Sequence, residues 1–117
     1  MNIYDKTHDL VGSIKTSPEY IDFMVTKKIL DGDEQAKKMV KEFIAKQMEL
    51  EYEMMGNKPE DKAKAERIQQ LSQLIATNNK ASQFMHSYMK FQRLVADIYK
   101  ILGDSVAEGM DFFDNKQ

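Results

Sequence analysis

The chain has 117 residues, a formal net charge of −2 and a pI of about 5.7; neither several domains nor a global attraction to nucleic acid or anionic lipid is encoded. Hydrophobic residues are 42% and charged residues 31%, which excludes a disordered chain and fits one all-α domain over 1–117. Cys is absent, so disulfides, thiolate metal sites and a cysteine nucleophile are excluded together.

Punctuation in the chain predicts five helical segments, at 2–16, 18–31, 34–56, 60–78 and 80–102, with a sixth turn near 104–113. The first puts Ile3, Leu10, Val11 and Ile14 on one face. Asp5 and Asp9 stand where a signal peptide would be apolar, and no run reaches the ~18 apolar residues of a membrane span. A cytoplasmic protein without membrane insertion is the expectation. Ser17-Pro18-Glu19 reads as an N-cap with Pro at the first helical position, opening a second segment with Ile21, Met24, Val25 and Ile29 as its face. Both segments are too short to stay helical alone in water, so each must dock on something.

Gly32-Asp33 reads as a stop with a new cap, and the third segment follows with Ala36, Val40, Phe43, Gln47, Leu50 and Met54 in steps of four and three. Gly56-Asn57 stops it. Pro59 then marks the start of a fourth segment with a weaker stripe, Ala65, Ile68, Leu71 and Ile75. Acid–base pairs at Asp33–Lys37, Glu34–Lys38, Glu42–Lys46 and Glu60–Lys64 have the i,i+4 spacing that supports helices.

Asn78-Asn79 offers a cap for the fifth segment, the most regular in the chain. Ala81, Phe84, Tyr88, Phe91, Val95, Ile98 and Leu102 recur in steps of three and four, the rhythm of a helix laying a narrow apolar seam against other helices. Gly103-Asp104 is expected to interrupt it. The third and fifth segments, each ~35 Å long, are expected to form an antiparallel hairpin core. The fourth links or flanks them, and the first two form an N-terminal cap. Such long seams outrun their cover, so a homodimer or higher homo-oligomer is expected, with Phe84, Tyr88, Phe91, Val95, Ile98 and Leu102 at the protein interface.

Chemistry is hard to place on this chain. His8 follows Asp5 and His86 follows Gln83, so the paired Glu-x-x-His motifs of a helical di-iron centre are not met and a metal-dependent enzyme is the weakest alternative. No Gly-rich phosphate loop or Gly-x-Ser-x-Gly elbow occurs. No cofactor is expected. Lys37, Lys38, Lys41 and Arg67 provide a small basic patch for an RNA-associated alternative, but Glu34, Glu42 and Glu49 lie among them. Nine methionines suit either core filling or an adaptable partner groove.

Tyr4-Asp5 with His8 and Leu10, Ser17-Pro18-Glu19-Tyr20, Asp33 with Ala36, Phe43 and Gln47, Gly56, and Asn79-Lys80 running on through Leu94, Asp97, Lys100 and Ile101 together resemble the YlbF/YmcA/YheA-like family of small helical bacterial proteins. The Tyr-Asp start and Gln47 look most like the YheA-type branch. The resemblance implies an all-helical fold built on a long hairpin, cytoplasmic and oligomeric, with no catalytic activity. Some relatives belong to a complex affecting competence, sporulation and biofilm formation, linked to messenger RNA processing. Some hold an iron–sulfur cluster on cysteines, a property this Cys-free chain does not share. Tyr88 stands where the family pattern has an acidic residue.

Overall fold

The computed structural model describes residues 2–110. Among them are six helices and no strand: α1 (Ile3–Lys15), α2 (Pro18–Asp31), α3 (Glu34–Met55), α4 (Lys62–Thr77), α5 (Asn79–Ser105) and α6 (Ala107–Met110). The rest of the predicted 104–113 turn lies outside the described residues.

Side-chain oxygens set the helix starts. Ser17 accepts the Tyr20 N–H at 3.2 Å with Pro18 in the first turn, Asp33 accepts from Ala36 at 3.1 Å, and Asn78 accepts from Ala81 at 3.0 Å. The start of α4 differs from expectation. Asp61, not the residue before Pro59, is its cap, accepting from Lys64 N–H at 3.0 Å. Asp61 has the capping carboxylate, whereas Pro59 follows a lysine that cannot accept. At the end of α3, Gly56 has an ordinary φ of −86° and Asn57 takes the left-handed φ of 57°. The Lys58 N–H then returns to the Glu53 carbonyl at 3.0 Å, closing the helix. Gly103 does not interrupt α5, which runs on to Ser105; a single glycine weakens a helix without ending it.

An all-helical fold with a long antiparallel hairpin is present, but the partners in the hairpin differ from those expected. α3 pairs with α4, and α5 pairs with α2. The stripe on α4 proves sufficient to cover α3, since Leu71 is 1% exposed and Ile75 is buried. α5 is taken by aromatic residues of α2. The helices meet where the ends of α2 and α4 reach the starts of α3 and α5. Leu30, Ala36, Val40, Ile75, Ala81 and Phe84 form one buried cluster there, with Phe23, Phe43 and Tyr88 packed around it. Ala36 and Ala81 are fully buried, and their small side chains let the four helices converge.

From this junction two arms diverge, α2–α5 and α3–α4. The result is a plate of 46 × 41 × 16 Å with a radius of gyration of 18.4 Å, well above the ~13 Å of a compact chain of this length. The first two helices do not form a shared cap. α2 lies along α5, while α1 touches only α2 and buries no residue.

Candidate interaction surface

The α2–α5 arm carries the densest packing outside the junction. Phe23 sits among three rings of α5, stacked on Phe91 at 5.2 Å with an interplanar angle of 8°, and tilted against Phe84 at 5.7 Å and Tyr88 at 6.0 Å. Tyr20 meets Phe91 edge-on at 5.4 Å. These are favoured aromatic geometries. Thr26 and Ser87 bridge the same interface through their hydroxyls, and each also lies within reach of its own helix's carbonyl, Phe23 O at 3.0 Å and Phe84 O at 3.1 Å. One hydroxyl therefore donates across the interface while the other donates to its own helix. The inner face of α2 is thus Tyr20, Phe23, Thr26 and Leu30. The face expected from the sequence, Ile21, Met24, Val25 and Ile29, points the opposite way and is exposed. Two stripes interleave on one short helix; the aliphatic one is the more regular, but the aromatic one has the larger rings to bury.

Along α5 the seam residues are unequally covered. Phe84 is 8% exposed; Tyr88, Phe91, Val95 and Ile98 are half-buried; Leu102 is 53% exposed. α2 begins at Pro18, which lies beside Leu94 and Asp97 on the flank of α5. Beyond that level, among the described residues, α5 is touched only by the short α6, and Tyr99, Ile101, Leu102 and Val106 are exposed. At the far tip of the α3–α4 arm, Met48, Tyr52, Met54 and Met55 are also exposed, as is Met89 on α5. Met85 and Met39 instead pack against the core.

Of the basic patch, Arg67 ties α4 to α3. Arg67 donates two hydrogen bonds to Glu42, each 2.8 Å, the bidentate geometry that guanidinium and carboxylate favour. This bond holds the Glu42 carboxyl below the usual glutamate range and the Arg67 guanidinium above its own. Lys37 pairs with Asp31 at 3.2 Å, while Lys38 and Lys41 are exposed. Lys27 and Lys37 together hold the Asp31 carboxyl low. Lys64 is held high by its hydrogen bond to Glu53, with Glu49 at 3.2 Å. Of the i,i+4 pairs expected from the sequence, Glu42–Lys46 forms, at 3.7 Å. Lys37 and Lys64 turn to partners on neighbouring elements instead, and Asp33 faces Lys80 at 3.9 Å. His8 and His86 lie exposed on separate helices, and among the described residues no group of three or more His, Asp or Glu could hold a metal ion. No described helix is long and apolar enough to cross a membrane.

An all-helical chain with diverging arms and apolar stripes outrunning their cover defines a class of small helical proteins. A family model described as "Control of competence regulator ComK, YlbF/YmcA" matches residues 3–107, and the chain belongs to that family. Similar relatives include a UPF0342 protein of Clostridium novyi, 34% identical over 116 residues covering 99% of this chain and 100% of that protein. A UPF0342 protein of Desulfitobacterium hafniense is 29% identical over 119 aligned positions, covering 100% and 96%. Among solved structures, a chain of the Bacillus subtilis complex of RicA with RicF shares the fold at a TM-score of 0.57 and 17% identity, over 92% of this chain and 96% of that one.

Proposed function

We propose that this protein is a non-enzymatic, cytoplasmic regulatory protein that works by binding other protein chains through its helix faces, its own copies among them. It would act as a component or paralogue of complexes affecting competence, sporulation or messenger RNA processing. The observation that carries this reading is the uncovered continuation of the α5 seam through Leu102 and Val106. Apolar surface of that length costs solvation free energy in a lone chain, which supports reading it as a protein interface. Family membership supports the regulatory role, and the RicA–RicF complex supports a partner made of protein.

Light scattering coupled to size exclusion tests the reading on the full chain. The expected species is a multiple of the 13.6 kDa protomer mass. Replacing Ile98 and Leu102 together by Asp should lower the average mass at fixed concentration while leaving the helical circular dichroism in place. A 13.6 kDa species throughout the micromolar range would overturn it.

A further inference from the structure

α2 is apolar on two opposite sides. Tyr20, Phe23 and Leu30 face α5, and Ile21, Met24, Val25 and Ile29 face away from it. A helix with apolar rows on two opposite sides, even one with Lys28 set beside the outer row, is suited to neighbours on both. Here one side is covered. The other opens into a groove of about 530 Å³ where Lys15, at the end of α1, meets Ile21, Met24 and Val25. α1 has the opposite deficiency. Among the described residues its stripe of Ile3, Leu10 and Val11 is exposed, Ile14 is partly covered near the joint with α2, and no residue of α1 is buried.

We infer that α1 of one copy lies antiparallel along the outer face of α2 in a second copy, and the reverse, so that two chains exchange their first helices. This deepens the proposed function and rests on its reading of self-assembly. Three observations select this occupant. The first is length: 13 residues of α1 match 14 of α2. The second is area. Apart from Ile14, every residue of the two stripes is 38–73% exposed, apolar surface on the order of the ~800 Å² per partner of a stable complex. The third is charge. At 3.6 residues per turn, Lys6 and Lys15 fall on opposite edges of the α1 stripe, while Asp22 and Asp31 fall on opposite edges of the outer face of α2. The antiparallel alignment sets Lys6 beside Asp31, which already holds Lys27 and Lys37, and Lys15 beside Asp22.

Closure of α1 onto its own α2 is opposed by the joint between them. Ser17 Oγ donates to the Ile14 carbonyl at 2.6 Å and accepts the Tyr20 N–H, and Pro18 fixes the next backbone angle. The last turn of one helix is thereby tied to the first turn of the next in an open arrangement. The apolar surfaces that an α1–α2 hairpin would cover within a chain are covered between chains, as in domain exchange.

The absence of Cys makes the test clean. Full-length Leu10→Cys and Val25→Cys chains are mixed under mild oxidation. A covalent heterodimer on a non-reducing gel, absent from either chain alone, is expected. Val25→Asp should raise the dissociation constant of the assembly at least about tenfold, equivalent to about 1.4 kcal/mol, with unchanged helicity because Val25 is 53% exposed. An assembled wild type whose mixed cysteine chains form no bond overturns the exchange and leaves the proposed function standing. A monomeric wild type overturns both. An intrachain bond in the Leu10→Cys/Val25→Cys double variant, without the mixed heterodimer, overturns the exchange in favour of closure within one chain.

Discussion

Phe23 is the side chain through which α2 and α5 hold one another, since it touches three rings of α5 at once. Phe23→Ala should destabilise the protomer by about 3 kcal/mol, the lower end for a large aromatic because the ring is half-buried. Ile21→Ala, two residues earlier on the opposite side, should cost less than about 1 kcal/mol in dilute solution. Urea unfolding of the two variants side by side measures the difference. Equal losses would mean that the two sides of α2 are not distinct. Few cues in the sequence separate these neighbours, because Tyr20, Phe23 and Leu30 keep helical spacing just as Ile21, Met24 and Val25 do. Only the packing partner decides which row turns inward, and that partner is more than 60 positions further along the chain.

At the level of helices, the caps of α2, α3 and α5 were readable, while the cap of α4 and the pairings were not. Ser17, Asp33 and Asn78 cap through bonds to the third residue on, a local geometry written in local sequence. Which long helix lies on which depends on distant surfaces. The stripes of α4 and α5 are both adequate covers for α3, and the ion pairs help distinguish them. Arg67 with Glu42, and Lys64 with Glu49 and Glu53, join α3 to α4 at successive levels. Glu42 titrates below its unfolded value, so its contribution is present above the unfolded pKa and is lost as pH falls through the folded one. Thermal unfolding followed from about pH 5 to pH 3 should therefore show declining stability, and Glu42→Gln should flatten that decline. An unchanged acid limb in the variant would show that the pair adds nothing to the fold. The seam of α5 was legible as a buried element as far as Ile98. That the seam outruns its cover was legible too; the level at which the cover ends was not, because it depends on where α2 begins beside α5.

At the scale of the whole molecule, a thickness of 16 Å leaves room for little shielded interior. The buried cluster is confined to the meeting point of four helix ends, and both arms extend past it. The proposed self-association would add stability by mass action, so the melting temperature should climb with protein concentration over the micromolar range. Differential scanning calorimetry at several loadings checks this; a constant melting temperature would signify a protomer that needs no companion. The thin junction carries one more implication. A chain that lacks its mates would spend more time opened and be cleared sooner by proteolysis. Its cellular level would then track the supply of whatever covers it, making the polypeptide a meter of its own stoichiometry.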